Sequence, residues 1–271
     1  MYLTRHQTNQ GPRWALNNQY LPTTFDLNFL LSISKSAAFQ LLSTLDLGAS
    51  AEDPLLPPIE PYQEVWACGV TYLRSRQARM EESDVADVYE RVYDAERPEI
   101  FFKSLGWRAR GDCQSVRIRR DSSWNVPEPE LTLVLNSAGE IVGYTAGNDM
   151  SSRSIEGENP LYLPQAKTYD GSCAIGPGIL LSQTLELTQL PIYLQIKRDS
   201  ELVFDGTANT NQMKRTPQEL ADWLMREVKF PDGAFLMTGT CLVPDDDFTL
   251  NTGDRLTVTV GDLTLENPVT D

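Results

Sequence analysis

The sequence predicts a β-rich α+β protein, and three observations carry that expectation. From about Ile100 onward, short runs recur between turn residues: EIFFK, SVRIR, ELTLVLN, EIVGYTA, GILLS, LPIYLQIKRDSELVFDGTA and DRLTVTVGDLTLENPV. Their β-branched and aromatic content favours strands. One clear helix interrupts them, from Pro217 to Glu227, with Thr216 as N-cap and proline at the first turn. Pro54, Pro57, Pro58 and Pro61 form a connector that marks off residues 1–60 as a small N-terminal domain before a main domain of residues 61–271. Many short strands with few helices read as a sandwich or roll.

Along the chain, residues 1–60 carry apolar patches at Tyr20-Leu21, Phe29 to Ile33 and Phe39 to Leu45, with a helix-compatible stretch over Lys35–Leu47. VWACGVTY, from Val65, reads as a short strand leading into a long polar helix from Leu73 to Tyr93. FPDGAFLMTGTCLVP is a Gly- and Thr-rich loop and strand. There is no P-loop, and no GxGxxG follows a strand, so nucleotide binding has no support.

The 271 residues, 41% hydrophobic and 23% charged, are those of an ordinary globular protein. A net charge of −15 argues against nucleic acid or an anionic membrane as partner. The start MYLTRHQTNQGPR lacks an apolar leader core and no apolar run approaches a membrane span, so a cytoplasmic enzyme is expected. Cys68, Cys113, Cys173 and Cys241 form no CxxC pair and read as buried free thiols. The single histidine, His6, is expected on a mobile terminus. A His base, a Ser-His-Asp triad or a His-ligated zinc site is therefore poorly supported.

The segment WNVPEPELTLVLNSAGEIVGYTAGND concentrates the candidate chemistry. Glu128 and Glu130 are two residues apart, hence on one face of a strand. If Ala138 and Gly139 form a two-residue hairpin loop, Ser137 pairs with Glu140. Counting back then sets Glu130 opposite Gly147 and Glu128 opposite Asp149, with β-carbons roughly 4.5–5.5 Å apart. Carboxylates packed together repel unless a cation neutralises them. An all-oxygen set suits a hard ion, Mg²⁺ first, with Mn²⁺ or Ca²⁺ as alternatives. The bland alternative is a solvated acidic edge.

Several motifs in order resemble the fumarylacetoacetate hydrolase superfamily: ACGVTY, RPEIFFK, PEPELTLVLN, GYTAGND, the Lys167 segment LPQAKTYDG, TGT at 238–240, and TGDRLTVTV. The resemblance spans roughly Glu64 to Pro268. It implies a mixed β-roll with a small N-terminal α/β domain, metal ligands at Glu128, Glu130 and Asp149, and a homodimer or homotetramer. Hydrolytic members carry a histidine after the first strand, where this chain reads Thr71-Tyr72-Leu73-Arg74-Ser75. That departure favours the branch of metal-dependent hydro-lyases acting on 2-dehydro-3-deoxy sugar acids in pentose catabolism.

The implied chemistry begins with a 2-oxo acid chelated to Mg²⁺, which eases loss of a C3 proton and then of the C4 hydroxyl as water. A five-carbon substrate would give 2,5-dioxopentanoate. Lys167 is the first candidate for proton transfer, and Lys103, at the end of an apolar strand, joins it as a catalytic candidate. Gly239 and Thr240 offer an N–H and a hydroxyl to the substrate carboxylate. Tyr72, Arg74, Ser75 and Tyr162 are further substrate contacts, with Arg153 and Glu156 behind them. Glu81 and Glu82 are conceivable acids, better read as surface residues. Competing readings are C–C hydrolysis of acylpyruvate or diketo acids on the same metal, decarboxylation or tautomerisation of a 2-oxo acid, and a non-catalytic module holding structural Ca²⁺.

Overall fold

The computed structural model describes residues 1–73 and 91–271. The expected helix over Leu73–Tyr93, and with it Arg74, Ser75, Glu81 and Glu82, lies largely or wholly outside them. The N-terminal strands are β1 (Tyr2–Thr8), β2 (Gly11–Leu16), β3 (Gln19–Tyr20) and β4 (Leu55–Leu56). Next come β5 (Glu64–Gly69), β6 (Glu99–Leu105), β7 (Val116–Arg117), β8 (Asn125–Val126), β9 (Pro129–Leu135), β10 (Ile141–Asp149) and β11 (Ser151–Ser152). The series ends with β12 (Cys173–Leu181), β13 (Pro191–Arg198), β14 (Glu201–Asn209), β15 (Ala234–Met237), β16 (Arg255–Val260) and β17 (Leu263–Thr270). Helices are α1 (Leu27–Ser32), α2 (Lys35–Thr44), α3 (Arg153–Glu158), α4 (Leu163–Lys167) and α5 (Pro217–Met225). None among the described residues is long and apolar enough to cross a membrane.

The strands form a mixed, sheet-rich fold. A ten-stranded sheet runs β3-β2-β1-β12-β10-β9-β15-β5-β6, with β4 paired to β1. A five-stranded sheet runs β14-β13-β16-β17-β7, and β8 pairs with β11. Strand β9 is buried on both faces, which explains its unbroken burial from Pro129 to Leu135. Its Leu131, Leu133 and Leu135 pack with Leu194 and Ile196 of β13 and Val258 of β16, and Leu220 and Leu224 of α5 join the same core. Its other face sends Val134 into a second core with Phe235, Met237, and Leu27, Leu30 and Phe39 from α1 and α2. Residues 1–60 thus extend the large sheet, through Leu3 opposite Ile179, and cover one of its faces.

The helix at 217 starts as expected: Glu219 N–H donates to the Thr216 hydroxyl at 3.1 Å. Ser34 caps α2 in the same way, from Ala37 N–H. His6 corrects the expectation of a mobile terminus. It lies in β1, only 5% exposed, with one ring nitrogen 2.8 Å from Thr4 Oγ1 and the other 2.7 Å from the Asp53 carbonyl. Three cysteines are buried as expected, but Cys113 is exposed.

The β9–β10 hairpin reaches the expected register by a different route. Its loop has three residues, Ser137 to Gly139, closed by Asn136 N–H to Glu140 O (3.1 Å) and Gly139 N–H to Asn136 O (2.9 Å). Gly139 takes the left-handed conformation (φ 79°) that this loop needs. Left alone, the longer loop would set Glu128 against Asn148. A bulge at Val142, between the pairs Ile141–Leu135 and Gly143–Val134, shifts the ladder back by one. Glu130 then pairs with Gly147, and Asp149 N–H donates to Glu128 O at 2.9 Å. The room left at Gly147 is filled by Thr132, whose Oγ1 would lie 2.2 Å from a Cβ there, not by the Glu130 carboxylate.

Candidate metal centre and active site

Glu128, Glu130 and Asp149 sit where the pairing of β9 with β10 hands over to that of β8 with β11. Asn148 Oδ1 accepts from Glu128 N–H at 3.1 Å and fixes the backbone between the two acids. One ligand oxygen from each of the three carboxyl groups falls within 4.8 Å of the others. None of the three residues is more than 3% exposed, which removes the solvated-edge alternative.

Among the described residues, three cations surround this cluster. Lys167, the last residue of α4, sets Nζ 2.6 Å from Glu128 Oε2 and 3.1 Å from Asp149 Oδ2. Arg153, the first residue of α3, donates from Nη2 (2.9 Å) and Nε (3.2 Å) to Glu128 Oε1. It therefore touches a candidate ligand directly rather than standing behind one. Lys103 forms an ion pair with Asp149 Oδ1 and donates to the carbonyls of Met150 (3.0 Å) and Lys167.

Lys103 departs from the expected strand end. Strand β6 continues to Leu105, and Val65 pairs with Ser104 while Trp66 pairs with Phe102, so Lys103 is the extra residue of a bulge. Such a bulge re-aims a side chain, here into the cluster.

Glu130 is held differently: its Oε2 accepts from Gly239 N–H at 2.6 Å. Burial, then the charges of Asp149 and Glu128, push its carboxyl well above the ordinary 4.5, against the opposing pull of Lys167 and the Gly239 N–H. Gly239 has φ 91°, and a Cβ there would come 2.1 Å from Thr71 Oγ1, so the close approach needs glycine. Thr71 Oγ1 itself donates to Thr238 O at 2.7 Å.

The remaining candidates separate. Tyr72 is fully buried beside Met213, and burial, with Cys241 and Glu130 nearby, raises its phenol. The Thr240 hydroxyl turns toward its own loop, accepting from Leu242 N–H at 3.1 Å. Tyr162 is 38% exposed on the turn before α4. Glu156 is buried and accepts from Ser151 Oγ at 3.1 Å. Tyr169, unremarked in the sequence, packs under the Arg119 guanidinium at 5.5 Å, and Asp149 adds to burial in raising its phenol. Its only sequence signal is its place two residues after Lys167. Burial pushes the Cys173 thiol up to about 12, which makes it inert beside the cluster.

Three buried carboxyl groups that converge through oxygen alone fit a hard divalent cation. Residues 86–270 match the model of the fumarylacetoacetate (FAA) hydrolase C-terminal region. The chain belongs to the fumarylacetoacetate hydrolase family. It is 45% identical over 258 residues to a probable 2-keto-3-deoxyxylonate dehydratase of Haloferax volcanii, covering 92% of this chain and 89% of the relative. It is also 45% identical over 219 residues to the 2-dehydro-3-deoxy-D-arabinonate dehydratase of Saccharolobus solfataricus, covering 78% and 73%. A solved 2-keto-3-deoxy-D-arabinonate dehydratase, complexed with magnesium and 2,5-dioxopentanoate, superposes with a TM-score of 0.84 at 34% identity over 100% of this chain and 99% of that one. The family's mixed β-roll is thus the architecture of this chain, and the acidic cluster lies inside the matched region.

Proposed function

We propose that this protein is a Mg²⁺-dependent hydro-lyase that removes water from 2-dehydro-3-deoxy sugar acids, converting 2-dehydro-3-deoxy-D-arabinonate to 2,5-dioxopentanoate. One observation carries the reading: a lysine bridges two of three buried carboxyl groups, while the only histidine is committed to Thr4 and Asp53. Proton transfer here falls to a lysine on a hard-ion site, which suits β-elimination from a 2-oxo acid and leaves a His-activated water without its base. The dehydratases that this chain resembles support the same substrate class.

Glu128, Glu130 and Asp149 would hold the ion, Mg²⁺ or in its place Mn²⁺. When bound, it supplies a Lewis acid for the carboxylate and 2-oxo oxygens of the substrate. Lys167 moves the proton, taking it from C3 or returning one to the departing C4 hydroxyl. Arg153 orients Glu128 and Lys103 orients Asp149, each by an ion pair away from water. Gly239 fixes Glu130, and Thr240, next in the chain, would turn its hydroxyl from the Leu242 carbonyl to the substrate carboxylate. Tyr162 is assigned to the sugar-acid chain, and so, from the sequence alone, are Tyr72, Arg74 and Ser75. The enzyme works in the cytoplasm, in pentose catabolism, as a homodimer or homotetramer.

Purified protein with Mg²⁺ should convert 2-dehydro-3-deoxy-pentonates to a product lighter by one water. That product should be oxidised by an NAD(P)-dependent semialdehyde dehydrogenase. Release of pyruvate would instead mean C–C cleavage, and release of CO₂ decarboxylation; either sinks the proposal.

A further inference from the structure

The two lysines of the cluster are bound in unlike ways. Lys103 donates to the carbonyls of Met150 and Lys167 and sets its ammonium in an ion pair with Asp149 Oδ1. Both hydrogen-bond acceptors are backbone, so it is fixed by the fold. Lys167 instead bridges Glu128 Oε2 and Asp149 Oδ2, oxygens of two different members of the acidic triad. A cation held by all three carboxyl groups competes with the Lys167 ammonium for two of them, Glu128 and Asp149.

We infer that Lys167 holds the place of the divalent cation in the metal-free site and is expelled when the ion loads. The inference rests on the metal-dependent reading above. Charge supports it: among the described residues, the three carboxyl groups already face Lys103, Lys167 and Arg153. A divalent ion adds two positive charges to a buried site, which is unfavourable without a counter-charge. The carboxylate of a 2-oxo acid supplies one, and the freed ammonium gains an anionic partner at the reacting end of the substrate. Metal and substrate anion therefore bind with positive coupling, each tightening the other by the same factor.

The test is Mn²⁺ binding to the metal-stripped full-length protein, followed by calorimetry and by the paramagnetic resonance signal of free Mn²⁺, with and without pyruvate as the 2-oxo acid. Wild type should bind Mn²⁺ about tenfold or more tightly with saturating pyruvate, roughly the 1.4 kcal/mol of a tenfold change. Lys167→Met should bind Mn²⁺ without pyruvate at least tenfold more tightly than wild type and lose most of the pyruvate effect. Arg153→Gln removes one charge from the other oxygen of Glu128 and should tighten binding far less. Lys167→Gln, which keeps a hydrogen-bonding group, serves if the methionine variant does not fold. Equal or weaker Mn²⁺ binding by both Lys167 variants, or an equal gain in Arg153→Gln, overturns the inference. Should wild type bind no divalent cation under any condition, the metal-centre reading itself fails, a different and recognisable result.

Discussion

Replacing Lys103 by methionine removes one ammonium while keeping an unbranched side chain of similar length. In the metal-free protein the change leaves Asp149 Oδ1 without its cation and takes the donor from two buried carbonyls, Met150 and Lys167. Removing one partner of a buried ion pair costs about 3–5 kcal/mol. Each buried carbonyl stripped of its donor adds about 1–3 kcal/mol. These effects share one group and do not add in full, so the expected loss is about 5 kcal/mol. For a chain of this size that corresponds to a fall in Tm of about 10–20 °C. Urea unfolding in EDTA, followed by circular dichroism and by the fluorescence of the five tryptophans, measures it. Saturating Mg²⁺ should narrow the gap, because the ion returns positive charge to Asp149 but gives nothing back to the carbonyls. A loss below about 1 kcal/mol in EDTA would refute the burial and pairing assigned to Lys103.

Glu130→Gln should abolish turnover yet leave Tm in EDTA at neutral pH unchanged or higher, since burial disfavours the charge it removes. The sign follows from linkage: with the folded carboxyl raised above 4.5, the native state keeps a proton that the unfolded chain has released. Stability of the metal-free wild type therefore falls as pH rises from 4.5 toward that raised value, and Glu130→Gln should flatten this slope. A marked drop in its Tm in EDTA would show that the carboxylate is a structural support. Gly239→Ala places a Cβ against Thr71 Oγ1 and displaces the N–H that holds Glu130, so Mn²⁺ affinity should fall at least about tenfold. Unchanged affinity would release Gly239 from that role. Ellman's reagent should label Cys113 quickly and Cys68, Cys173 and Cys241 only after denaturation. A second fast thiol would contradict their burial.

Strands with dense Val, Ile and Leu were legible from sequence: β9, β10, β13, β16 and β17 fall on the runs that predicted them. So was α5, because Thr216 and Pro217 mark its first turn by side-chain chemistry alone. β1 and β2 were not, since YLTRHQT and GPRWAL carry polar residues whose burial becomes tolerable only through distant partners. His6 is the plain case: its ring needs Thr4 and the Asp53 carbonyl, far apart in sequence from one another, before it can sit inside. The three acids were legible because spacing of two on a strand is a local property, and a hairpin brings Asp149 back to Glu128 with few free choices.

Those choices nonetheless hid two irregularities on which the site depends. The loop is one residue longer than a two-residue turn, and the Val142 bulge shifts the ladder by one in return, so the predicted pairing held through two departures that cancel. Had only one been present, every side chain beyond it would have changed face and Asp149 would have left the cluster. The second irregularity, at Lys103, turns a residue that strand alternation alone could not place into a buried counter-ion for Asp149. A bulge leaves little mark on composition, because it is set by what both strands must pack against. Positive charge is divided accordingly. Lys103 is locked by a backbone irregularity and two carbonyls, and Lys167 ends a short helix with its ammonium on two carboxylates. A site that must exchange its cation needs both kinds: one charge that keeps the acids together when the ion is gone, and one that can leave when it arrives.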